Sequence, residues 1–311
     1  MVNSNLLKSL ICTIALCVSG IVAAQTKQMS HSFSAFDAID VDNDFNVNVV
    51  KSNKDYSISL TVDEILSEYV QTYVKNHSLF IKLDKNSLPL DIKKLYKGRK
   101  SSEPVLNATV YLPAELSSVC LRGSSVLRID YDVECENFKM ELADNAKVKR
   151  LNLDASEFSI LMSNKSSADI RIYADNINIS AVGGSSLIIE QDSEKLDIDA
   201  RGNCRMKIDG ASLETKVMAS ASSEVILNGN SDILDVTTSG MTKVDALNLR
   251  VRECNANLSG NSKLYESASE KIHLSMSSGA DLIFDGEPFF DIVDVRNATI
   301  QRYSSLTNHK K

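Results

Sequence analysis

Histidine, cysteine and carboxylate are the side chains here that could carry chemistry. His31 and His309 lie near the chain ends, His77 sits in a turn pattern, and His273 falls between Ile272 and Leu274 at an outward position. No two of them, and no pair of cysteines, have the spacing of a metal site. Carboxylates are a sharper candidate. Asp197 and Asp199 share one face of an alternating segment, roughly 6.8 Å apart by strand rise. Asp169, Glu224 and Asp281 read as one outward column of a repeat. Paired carboxylates serve as general acid and base in enzymes that cleave polysaccharides. The plainer reading is solubilising charge on a flat face, and it is favoured because the connections are too short to wall a cleft. No catalytic residue, metal or cofactor is therefore expected. The same outward positions carry Ser180, Ser220, Ser222, Thr237, Ser239, Asn257, Ser259, Asn261, Ser275 and Ser277. Such a ladder could hydrogen-bond a surface glycan, but it lacks the aromatic platforms of sugar sites, so solvation of a sheet is the favoured reading.

A repeat positions these residues. The phrase Ser259-Gly260-Asn261-Ser262-Lys263-Leu264 follows Ser239-Gly240-Met241-Thr242-Lys243-Val244, and looser copies precede both. The nine sixth residues read as Leu127, Val148, Ile170, Leu187, Met206, Val225, Val244, Leu264 and Leu282, with gaps of 17 to 22 residues. A period near 19 marks a solenoid of stacked coils. Within one coil Leu196, Ile198, Ala200, Gly202, Cys204, Met206 and Ile208 alternate with Asp197, Asp199, Arg201, Asn203, Arg205 and Lys207. Period two means extended chain with one face buried. The fourth phrase position is small throughout: Ser125, Ala146, Ala168, Ser185, Cys204, Ser223, Thr242, Ser262 and Ala280. A small inward column implies a tight corner. Gly123, Gly183, Gly202, Gly240 and Gly260 are its expected glycines, and its buried hydroxyls need backbone partners. Coils two and three, with Ala143-Asp144-Asn145-Ala146 and Lys165-Ser166-Ser167-Ala168, lack the glycine. The expected fold is all-β, a right-handed single-stranded parallel β-helix with coils of about 19 residues.

The rest of the chain is read around that rod. Residues 1–24 have a short apolar run, Leu10 to Val18, and end in Val22-Ala23-Ala24, the pattern of a secretory signal peptide. Residues 25–115 form an N-terminal β region that caps the solenoid. It includes one short helix over 63–75, from the helical spacing of Ile65, Leu66, Tyr69, Val70, Tyr73 and Val74, and a basic loop over 84–104. The repeats occupy 116–288, and the apolar cluster Phe289, Phe290, Ile292, Val293 and Val295 opens a C-terminal cap and tail, 289–311. The chain has 34 basic and 41 acidic residues, a net charge of −7. Loss of residues 1–24 removes one Lys and no acid, which disfavours nucleic acid and anionic membrane as partners. No segment is long enough for a transmembrane helix. With a cover at each end, the chain is expected to stand alone as a monomer. Cys204 and Cys254 read as reduced core residues, and a Cys120–Cys135 bridge is left open.

Serial S-G-x-S-x-L phrases after the entry Phe36-Asp37-Ala38-Ile39-Asp40-Val41 and before the close Phe284-Asp285-Gly286-Glu287-Pro288 resemble the bacterial family of auto-transporter adhesins, head GIN domain. The resemblance spans about residues 33 to 290. It implies an exported β-helical domain of the periplasm, outer-membrane surface or extracellular space, with an adhesive or structural role toward an envelope protein or surface glycan. It supplies no shared catalytic residues. A carbohydrate-active β-helix enzyme, lyase or hydrolase, is the alternative.

Overall fold

The computed structural model describes residues 25–96 and 103–303. The expected signal segment, part of the basic loop and the tail lie outside the described residues. The chain is nearly all β, 70% strand, and stacks parallel coils of about 19 residues into a solenoid of about ten turns. The N-terminal strands are β1 (Thr26–Ser32), β2 (Ala38–Asp42), β3 (Asn46–Lys51), β4 (Ser57–Asp63), β5 (Val70–Lys75) and β6 (Ser78–Leu83). A short helix, α1 (Leu90–Leu95), precedes β7 (Leu106–Leu112), β8 (Ser118–Leu121), β9 (Val126–Ile129) and β10 (Val133–Leu142). The long strands follow: β11 (Lys147–Met162), β12 (Ser167–Gly183), β13 (Ser186–Gly202), β14 (Arg205–Ala221), β15 (Glu224–Thr238) and β16 (Lys243–Leu258). The rod ends in β17 (Lys263–Glu266), β18 (Ala268–Ser277), β19 (Asp281–Phe284), β20 (Phe289–Arg296) and β21 (Thr299–Arg302).

Two bends shape each coil. One lies inside the long strand, where two successive residues face out: Asp175 and Asn176, Glu194 and Lys195, Leu213 and Glu214. This slip of the two-residue alternation divides the strand into two limbs that bury the same core. The second bend is the phrase. Its second position is Gly123, Asp144, Asn164, Gly183, Gly202, Ala221, Gly240, Gly260 and Ser278 in successive coils, and every one has positive φ, between 60° and 103°. Asp and Asn tolerate this left-handed backbone best after glycine, which explains how coils two and three turn without one. The fourth position is buried in every coil, and its side chain closes the turn locally. Ser125 Oγ donates to Arg122 O at 2.7 Å, Ser185 Oγ to Val182 O at 3.0 Å and Ser223 Oγ to Ser220 O at 3.0 Å. Thr242 and Ser262 are buried at the same position, and Ser262 meets Thr238 Oγ1 at 2.7 Å.

The register corrects the alignment of the third copy. Lys147 pairs with Ser167 and Ser167 with Ser186, so the phrase there is 163–168, with Ser166 rather than Ala168 at the buried corner. Asp169 therefore leaves the column of Glu224 and Asp281 and stacks with Ile188, Lys207 and Ile226. Sequence spacing missed this because Ala168 and Ile170 fit the small and apolar columns as well as Ser166 and Ala168 do.

The rod also runs further than the repeats suggested. Strands β2 and β3 lie between two other coils, pairing in parallel with β6 and β7 on one side and with β8 and β9 on the other. Antiparallel strands finish this end: β4 on β7, β1 on β4, and β5 on β6. At the far end β20 and β21 pair in parallel with β18 and β19, so residues 289–302 add a coil instead of a separate cap.

The helix expected over 63–75 is only half present. A 3-10 turn spans Glu64–Tyr69, and Val70–Lys75 is strand β5. The β-branched Val70, Thr72 and Val74 prefer a pleated surface, and Asn76 and His77, both at positive φ, make the two-residue hairpin turn to β6. Asp63 is no helix cap. Its Oδ2 accepts the Tyr96 hydroxyl at 2.9 Å and the Val105 amide at 3.2 Å, tying down the segment that holds α1. The basic stretch is thus part helix, and its residues 97–102 lie outside the described residues. The four cysteines of the described chain are free thiols. Burial pushes Cys120 and Cys135 each up to about 11, which keeps both protonated and unreactive.

Candidate binding face

In-register stacking turns each outward position into a column running along the rod. On the limb before the corner, one column reads Lys139, Ser159, Asn178, Asp197, Lys216, Asp235, Asn255 and His273. The next reads Glu141, Leu161, Ser180, Asp199, Met218, Thr237, Asn257 and Ser275. Neighbours along a column bond to each other: Asn255 Nδ2 donates to Asp235 Oδ1 at 2.6 Å, and Asn176 Nδ2 to Glu157 Oε1 at 2.7 Å.

Asp197 and Asp199 line a shallow depression of about 430 Å³ on this face. Ser159, Asn178 and Ser180 line it together with the larger Lys139, Leu161, Lys216 and Met218. Small residues between larger ones on adjacent coils make the hollow, with no long loop needed. Leu161 and Met218 are 47% and 39% exposed, apolar groups beside polar ones. The carboxylates are not arranged as an acid and base across this hollow. They follow one another along a single strand, and both oxygens of Asp199 accept from Arg201, one at 2.9 Å.

The other candidate acids are engaged as well. Glu224 lies 3.4 Å from Lys243, and Asp281 lies 2.9 Å from Lys263. Their column runs Arg205, Glu224, Lys243, Lys263 and Asp281, so opposite charges are neighbours at every step except Lys243 to Lys263, and each exposed pair adds little stability. His273 Nδ1 is 3.1 Å from Asp291, whose carboxyl Lys271 holds below its usual range, with His273 assisting. His31 is exposed on β1, His77 forms the hairpin turn, and His309 lies outside the described residues. Among the described residues no group of three or more metal-binding side chains converges.

Three features escaped the sequence reading. Gly210 and Gly229 stack directly at the inner bend, and their spacing of 19 in Asp209-Gly210-Ala211-Ser212 and Asn228-Gly229-Asn230-Ser231 was the available signal. Glu266 is an acid at an inward position, buried completely, where it breaks the apolar set. Arg128, Lys149 and Arg150 gather beside a bulge in β11, and the run Lys147-Val148-Lys149-Arg150 was its trace in the sequence.

The chain is similar to several solved structures. An adhesin, described as putative, from Parabacteroides merdae shares 13% identity at a TM-score of 0.48, over 90% of this chain and 97% of its own. A second such adhesin, from Parabacteroides distasonis, shares 14% at 0.48, over 90% and 98%. A protein from the same species described as a putative lipid binding protein shares 16% at 0.44, over 90% and 97%. A search of curated proteins returns no match. The family model described as putative auto-transporter adhesin, head GIN domain, matches residues 35–190 and 163–288, almost the whole rod, and the chain belongs to that family.

Proposed function

We propose that this chain is an exported, non-catalytic adhesive module of the cell envelope that works as a single copy and presents its outward columns to a surface partner. The observation that carries this reading is the rod itself. Its coils stack in register, so polar groups repeat along the outer face at roughly 4.8 Å, a spacing suited to an extended partner. Family membership points the same way. Export rests on the signal-like segment 1–24. Among the described residues no helix is long and apolar enough to cross a membrane. Protease digestion of intact cells is the test. An adhesin is cleaved or shed from the surface, whereas full protection until the outer membrane is opened sinks the surface-adhesive reading.

The depression beside Asp197 and Asp199 favours one second reading, a polysaccharide lyase or hydrolase. Turnover of an acidic polysaccharide that disappears in the Asp197→Asn, Asp199→Asn double variant would establish it, and the engagement of Asp199 by Arg201 argues against it.

A further inference from the structure

We infer that the notch beside the β11 bulge binds an acidic saccharide through Lys149 and Arg150, an inference that rests on the adhesive reading and gives it a ligand class. The bulge lies between Val148 and Leu151, where β11 slips against β12. Arg150 sits there at φ 43°, a left-handed backbone that a residue with a Cβ rarely adopts. Bulges and such strain gather where a side chain must be re-aimed. Here the extra residue turns Lys149 and Arg150 outward together, both exposed and neither with a carboxylate partner among the described residues. Lys149 stacks on Arg128, whose guanidinium is 2.7 Å from Asp130. Three cations, Arg128, Lys149 and Arg150, thus face two carboxylates, Asp130 and Asp132, which leaves the notch net positive in a chain of net charge −7.

The notch itself consists of two adjoining hollows, of about 350 and 500 Å³, that share Arg128, Asp130 and Lys149. Of the six buried polar side-chain atoms with no partner in the described chain, three belong to residues lining these hollows: Asn48 Oδ1, Asn152 Oδ1 and the Tyr131 hydroxyl. The amide orientations are fixed by chemistry. Asn48 Nδ2 donates to Asp130 Oδ2 at 2.6 Å and Asn152 Nδ2 to Asp132 Oδ1 at 2.7 Å, so in each the oxygen is the atom left over. Buried acceptors without donors are rare and costly.

The two halves of the notch ask for different groups. Exposed cations call for a carboxylate or sulfate, and the polar wall formed by Asn46, Asn107 and Thr109 calls for hydroxyl groups. A uronic or sulfated sugar brings both on one ring. An inorganic anion answers the cations alone, and the overall negative charge of the chain opposes an anionic bilayer.

Calorimetric titration of the purified chain tests this, with a galacturonate hexamer, a sulfated hexasaccharide, a neutral hexasaccharide and phosphatidylglycerol vesicles as probes. At least one acidic saccharide binds, the neutral one does not at the same concentration, and added salt weakens binding. The Lys149→Gln, Arg150→Asn double variant, in which Asn tolerates the left-handed backbone, loses tenfold or more in affinity with an unchanged melting curve. Absence of binding to both acidic saccharides, binding to vesicles alone, or undiminished saccharide binding by the double variant overturns the proposal. Cell binding by the same proteins separates the two readings. Equal adhesion by wild type and variant leaves the adhesive role standing and removes the notch from it. Saccharide binding through the notch without adhesion keeps the site and removes the adhesive role.

Discussion

Glu266 is the residue whose surroundings most oppose its charge. It is 0% exposed and pairs across the ladder with Phe284. Oε2 accepts the Ala268 amide at 2.7 Å, and Oε1 has no partner among the described residues. Burial pushes its carboxyl up to about 7 from an ordinary 4.5. The folded state therefore holds the proton more tightly than the unfolded chain. Stability is greatest below the unfolded value and falls as pH rises from about 4.5 through about 7. A shift of this size corresponds to roughly 3 kcal/mol. Glu266→Gln should match the wild type in urea unfolding at pH 4 and exceed it by up to about 3 kcal/mol at pH 8. Equal midpoints at both pH values would show that water reaches the carboxylate. Gly210 and Ala221 make an opposed pair. A Cβ on Gly210 would lie 1.7 Å from Gln191 O, so Gly210→Ala forces two coils apart and should cost about 3 kcal/mol or more. Ala221 already holds φ 64° with a Cβ, so Ala221→Gly should stabilise by about 1 kcal/mol. Thermal melts of the two variants moving in the same direction would contradict the strain assigned to these bends.

The corner is the element that the sequence described best, and its hydroxyls behave as individuals. Ser223 Oγ reaches three carbonyls, Ser220 O at 3.0 Å, Ala200 O at 3.1 Å and Gly202 O at 3.2 Å, and so ties its own turn to the coil below. Thr242 occupies the equivalent place with its Oγ1 unpartnered. Ser223→Ala should therefore destabilise by about 1–2 kcal/mol, while Thr242→Val, which keeps the shape and removes an unsatisfied oxygen, should be neutral or stabilising. Chemical denaturation compares them directly, and equal losses would mean that the fourth position matters only for its size. Period and alternation were legible because they are one-dimensional, and a residue such as Ile198 announces its face by what flanks it. The third copy was misplaced because 163–168 and 165–170 have the same small and apolar pattern, and only pairing with Ser186 separates them. Strand β5 passed for helix because Val70 and Val74, four residues apart, share a face in a helix and in a strand alike. The hollow by Asp197 and the notch by Arg150 were illegible for another reason. Each is made by size differences and a slip between neighbouring coils, information that exists only after stacking.

The two ends of the rod are finished differently, and a stack of coils is only as firm as its ends. At the N-terminal end, antiparallel strands close both limbs, and the outermost, β1, shows mostly polar side chains such as Lys27, Gln28 and Ser30. At the other end β20 and β21 pair on one side only among the described residues. Phe289, Ile292 and Val293 are 69%, 53% and 63% exposed there, whereas Leu274, Ala256 and Val236, stacked in line with Ile292 in the preceding coils, are buried. Each coil of a solenoid draws its stability from its own sequence and from its two neighbours, so a coil with one neighbour opens first. The bulge that displaces Val293 between Ile292 and Asp294 weakens that edge further, and it also discourages pairing with a second chain. Native-state hydrogen exchange should find the amides of β20 and β21 exchanging at least tenfold faster than those of β12, β13 and β14, which have coils on both faces. Exchange should then advance inward through β18 and β19 as denaturant is added, with the antiparallel N-terminal end opening later. Uniform protection along the rod would instead mean that the coils unfold as one cooperative unit.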